Sequence, residues 1–91
     1  MDSIMQRDKV CYLTGATENL HKHHIMRGSQ RKKAEKLGCW VWLRADWHVG
    51  TNYCVHADHA LEMRLKRECQ QRFEEIHGHD AWMQAFGRNY L

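Results

Sequence analysis

The chain has no proline, no apolar run long enough to span a bilayer and no Cys-x-x-Cys pair. Without proline, no element is broken by a residue lacking a backbone N–H, and no stiff Pro-rich linker divides the chain. A transmembrane helix needs about 18 or more consecutive apolar residues, so none is encoded. The opening stretch, Met1 to Lys9, is polar and lacks the apolar stretch of a secretory leader, so a cytosolic protein is expected. The cysteines stand at 11, 39, 54 and 69. In a reducing compartment they read as free thiols or metal ligands rather than disulfides, and their spacing does not encode a four-cysteine zinc module. Repeats and low-complexity segments are absent. Ninety-one residues therefore make one domain, 1–91, with a modest core to which a metal or a partner chain would add stability.

Histidine is what the chain has in excess: eight in 91 residues. Two clusters stand out, His21-Lys22-His23-His24 and, two dozen residues on, Asp46-Trp47-His48 followed by His56. Neutral imidazole is a common ligand for borderline divalent metals and also titrates near neutral pH, so one residue type can supply both a metal site and a general base. Charge is unevenly spread. Residues 1–44 hold nine Lys/Arg against four acids, a net +5, whereas residues 45–91 hold five against seven, a net −2. The basic half carries the first histidine cluster and the run Arg31-Lys32-Lys33. A cationic surface beside a metal site suits a phosphodiester substrate; the run alone reads equally well as a solvated helix face.

Local patterns give a coarse secondary structure. Val10 to Leu13 is a short β-prone run closed by a turn at Thr14 to Thr17. Leu20 to Met26 alternates as a second strand ending at Gly28. Ser29 is placed to cap a helix from Gln30 to Leu37, with Gly38 as its stop. Cys39-Trp40-Val41-Trp42-Leu43 is the strongest strand, rich in aromatic and β-branched residues. Asp46 to Tyr53 reads as a loop. From the N-cap Asp58 to His77, apolar residues recur at Leu61, Leu65, Cys69, Phe73 and Ile76, one stripe along about five turns that Gly78 ends. Asp80 then caps a short terminal helix bearing Trp82 and Phe86. The tryptophans read chiefly as core, and secondarily as stacking surfaces for exposed bases.

The order of these pieces resembles the HNH nuclease family, in particular the short HNH-type proteins of phages and prophages. The residues that carry the resemblance are Cys11-Tyr12-Leu13-Thr14-Gly15, His23-His24, Leu43-Arg44-Ala45-Asp46-Trp47-His48 and Cys54-Val55-His56, over a motif core of about residues 10 to 75. Three departures go with it. Thr14 and Arg44 stand where the family has cysteines, so its zinc knuckle looks lost and Cys11 is left as a core thiol. The family's central asparagine would fall near Gly38 or Cys39, which puts the support of the metal loop in doubt.

The resemblance implies an α+β fold of small ββα-metal type with a long C-terminal helix and a short terminal one. It implies a metal-dependent DNA endonuclease of phage origin, working in the bacterial cytoplasm with one divalent ion (Mg, Mn, Ni or Zn). By motif position, His23, His48 and His56 would hold the metal and His24 would activate the attacking water. The ion would polarise the scissile phosphate and neutralise the departing 3′ oxygen. Arg27, Arg31, Lys32, Lys33 and Arg44 are the candidates for phosphate contact, which sets affinity and register rather than sequence preference. His21 is a substitute ligand or phosphate contact, His59 a competitor for the place of His56, and His77 and His79 are surface residues. Asp46 is either an orienting carboxylate or a turn residue. The alternative is a catalytically inactive, metal-stabilised module that binds nucleic acid or protein. A homodimer or a phage partner protein remains open.

Overall fold

A computed structural model describes residues 2–91. The elements run β1 (Leu20–His24), a 3-10 turn (Gly28–Gln30), α1 (Arg31–Leu37), β2 (Trp40–Arg44), α2 (Ala45–His48), α3 (His59–His77) and α4 (His79–Phe86). The fold is α+β: the sheet has two antiparallel strands, with His24 opposite Trp40, Lys22 opposite Trp42 and His23 opposite Val41. No helix among the described residues is long and apolar enough to cross a membrane.

Strand alternation divides the sheet between two jobs. Val41 and Leu43 lie on the face that carries His21 and His23, and both are fully buried. That face joins Ile25, Cys39, Leu65, Cys69, Phe73, Trp82 and Phe86 in the core. The other face sets Lys22 over the Trp40 ring, 4.0 Å from its centroid, with Lys9 4.6 Å from that of Trp42. Trp40 is buried at 6% exposure, but beneath a cation on the outer face, outside the main core. Apolar filling at the centre comes instead from Trp82, which packs edge-on against Phe73 and at a tilt against Phe86.

The long helix forms as its sequence dictates. The Asp58 side chain accepts a hydrogen bond from the Leu61 amide at 3.1 Å, supplying one of the partners that the first helical turn lacks. Leu65, Cys69, Gln70 and Phe73 are its buried positions. Gln70, fully buried, is satisfied on both sides: its amide nitrogen donates to Asn89 and Glu74, and its oxygen accepts from the Tyr90 amide. Together with a bond from the Trp82 indole to the Arg88 carbonyl, this pins the chain end onto α3 and α4.

Several local expectations are corrected. Val10–Leu13 is no strand: the Tyr12 amide reaches β2 at the Trp42 carbonyl, and the Cys11 backbone turns back on Gly15 and Ala16. Ser29 is not the cap of α1, because a 3-10 turn absorbs Gly28–Gln30 and Gln30 takes the N-cap place without a side-chain bond. Residues 45–48 form a single helical turn, α2, rather than loop. Arg44 grips Asp46 with two bonds of 2.7 and 2.8 Å and Tyr53 adds a third, which closes the chain into that turn. Ile76 leaves the apolar stripe at 47% exposure. Gly78, not Asp80, is the N-cap of α4; Asp80 lies in its first turn, where a negative charge favours the positive end of the helix.

Candidate metal centre

Three imidazoles from three parts of the chain converge. His23 comes from the inward face of β1, His48 from the end of α2 and His56 from the turn before α3. One nitrogen of each lies within 4.8 Å of the others. The ring centroids are 5.3 Å apart for His23 and His48, 5.3 Å for His23 and His56, and 4.9 Å for His48 and His56. Nitrogens around a tetrahedral ion at 2.0–2.1 Å would be about 3.3 Å apart, so the set would have to draw closer around an ion. The three residues lie close enough to hold a metal ion.

Protonation favours the same use. Burial presses the pKa of His23 down to about 3, and the neighbouring His48 and His56 push the same way. His48 is lowered to about 4, again first by burial. His56 is lowered by burial and then by the Arg27 charge. At neutral pH all three rings are thus neutral, and an uncharged imidazole is the form that ligates. Among the described residues, no carboxylate belongs to this cluster. An all-imidazole set suits Zn or Ni, whereas Mg prefers oxygen ligands.

The surroundings separate the remaining histidines. His21 is no member of the triad; its Nδ1 lies 3.1 Å from Nδ1 of His48. It is the outer partner that can orient a ligand ring. His59 opens α3, exposed and outside the cluster. His77 packs against Phe73, its centroid 4.7 Å away, and His79 pairs with Glu74 at 2.8 Å. Asp46 holds Arg44 and Tyr53 rather than a histidine. The Arg44 and Tyr53 bonds keep its carboxyl well below the usual carboxylate range.

A cleft of about 230 Å³ opens over the triad, lined by Lys22, His23, His24, Arg27, Arg31, His48 and His56. Its lining contains three cations, of which Lys22 is paired with Glu35 and Arg27 with Glu62, so an anion entering the cleft would compete with those carboxylates. His24, next to His23 but pointing to the other face of β1, borders both this cleft and an adjoining one shared with Arg31, Lys32 and Glu35. Of the five basic residues singled out from the sequence, Arg27 and Arg31 line the first cleft and Lys32 the second. Lys33 instead donates to the Ala85 carbonyl on α4, and Arg44 is committed to Asp46 at the far end of β2.

Arg27 has a second relation to the site. Its Nη1 lies 2.6 Å from Nδ1 of His56 while its Nη2 donates to Glu62 at 2.9 Å. Guanidinium only donates, so it occupies the single lone pair of a neutral His56. Coordination through either nitrogen of His56 needs that lone pair or a proton on Nδ1. The Arg27 contact and metal ligation by His56 therefore exclude one another.

No family model, curated protein or solved structure matches this chain. The site thus has to be read from its own chemistry. Two of its neighbours, Glu35 and Glu62, had no sequence signal, because each is one charge among many on a solvated helix.

Proposed function

We propose that this chain is a metal-dependent nuclease of HNH-like ββα type, hydrolysing phosphodiester bonds in DNA. The observation that carries the reading is the pairing of a neutral three-histidine cluster with a separate histidine, His24, at the rim of the same cation-lined cleft. A bound Zn or Ni ion would supply Lewis acidity toward a phosphate oxygen. His23, His48 and His56 would hold the ion, with His21 steadying His48. Arg31 and an Arg27 released from His56 bind the phosphate charge and set the strand's register. His24 takes the proton from the attacking water, a role that typically contributes 10²–10⁴-fold.

A second reading has one observation in its favour. Both ring nitrogens of His24 are engaged, Nε2 with Glu35 and Nδ1 with Arg31. A base so occupied suits a metal-stabilised module that binds nucleic acid without cutting it. Supercoiled-plasmid cleavage by metal-stripped protein, with Zn, Ni, Mn or Mg restored singly, separates the two. The nuclease reading expects metal-dependent nicking that His24→Ala abolishes while metal stoichiometry stays at one ion per chain. Tight metal binding with no cleavage under any ion would establish the binding module instead.

A further inference from the structure

We infer that Glu35 is the positioning residue of His24: it holds the Nε2–H of the ring and so leaves the Nδ1 lone pair facing Arg31, a residue that lines the cleft. This rests on the proposed nuclease reading only for what the lone pair then does. The geometry itself stands on two independent contacts. Glu35 Oε2 lies 3.2 Å from His24 Nε2, and Arg31 Nε donates to His24 Nδ1 at 3.3 Å. An ionised carboxylate can only accept, so the nitrogen facing it carries the proton. A guanidinium can only donate, so the nitrogen facing it carries the lone pair. Both neighbours impose the same tautomer on one ring.

The carboxylate is itself held. Lys22 Nζ donates to Glu35 Oε1 at 3.0 Å, leaving Oε2 for the imidazole. Lys22 and His24 share the outer face of β1, and Glu35 stands on α1 across from them. The three therefore form a short line, Lys22–Glu35–His24, that ends at the ring. His24 is largely enclosed, its side chain 11% exposed, so few water molecules compete for the Nε2–H. A phosphate drawing Arg31 away would leave Nδ1 open to a water in the cleft. As that water gave up its proton to Nδ1, the imidazolium formed would face the Glu35 charge, which stabilises it.

A surface ion pair between Lys22 and Glu35 is the plain rival, and it predicts nothing about His24. Nitrogen-15 spectra of uniformly labelled metal-free protein at neutral pH distinguish the two. The expected result is a His24 ring in the Nε2–H form, with an exchange-protected, downfield Nε2–H proton that disappears in Glu35→Ala. Glu35→Gln, whose amide oxygen still accepts, should restore that proton in part. In the metal-loaded protein, Glu35→Ala should lower kcat for plasmid nicking roughly tenfold to a hundredfold, a share of what a general base supplies. KM and metal affinity should not change. An Nδ1–H tautomer, a protected proton that survives in Glu35→Ala, or an unchanged kcat in that variant would overturn the inference. If the wild-type chain cuts nothing while the protected proton still depends on Glu35, the positioning stands and the nuclease reading falls.

Discussion

Acid should destabilise the metal-free protein well before its carboxylates protonate, and His23 sets the size of the effect. This ring is 2% exposed, and burial brings its pKa down to about 3, whereas in the unfolded chain it titrates near the ordinary value of about 6.5. Below that value the unfolded state binds a proton that the folded state refuses, so stability falls as pH falls. The contribution is complete above about pH 6.5 and drains away toward about pH 3. Between pH 7 and pH 5 one such group costs about 2 kcal/mol. His48, lowered to about 4 but more open to water, adds in the same direction and by less, since solvent screens it. For a domain of this size, 2 kcal/mol corresponds to a Tm lower by about 8–16 °C. Calorimetric melts at pH 7, 6 and 5 in a chelator would measure it, with His23→Gln as the comparison. A wild-type Tm that does not move over this range, or an unchanged pH slope in His23→Gln, would refute the reasoning.

Two further expectations follow from single contacts. Arg27→Ala removes the cation that holds the lone pair of His56, so titration calorimetry should show Zn or Ni binding about tenfold more tightly, one hydrogen bond to a charged group being worth roughly 1.5 kcal/mol or more; weaker binding would mean that Arg27 supports the site rather than competes for it. Gly38→Ala should destabilise the fold by about 2 kcal/mol or more in urea denaturation. Gly38 sits at φ +75°, where a side chain costs about 1–2 kcal/mol, and its added Cβ would press on the Asp2 carbonyl oxygen and the Ile4 backbone. An unchanged midpoint would contradict the close packing of residues 2–4 at the end of α1.

Linear pattern was enough wherever one element decides its own form. The stripe of Leu65, Cys69 and Phe73 with its Asp58 cap reads directly as α3, because helix period and capping are local physics. The β-rich Trp40–Leu43 and the alternation around His23 mark the two strands for the same reason. The histidine spacing marked only two clusters; it was the resemblance to the HNH motif that implied His23, His48 and His56 as a set, and the structure brings those three together. What the sequence could not express were the relations between elements. Strand alternation already sets His23 and His24 on opposite faces, but only the pairing register sets His23 opposite Val41 and Lys22 opposite Trp42. The packing of α1 brings Glu35 to His24, and the Arg27 side chain reaches past the sheet to His56 and Glu62. Such contacts join residues 11 to 35 positions apart, and a charged residue on a solvated helix looks the same whether or not an imidazole waits opposite it. Composition and periodicity decide which segments fold and which faces they bury; only the folded chain decides which of its many charges meets which histidine.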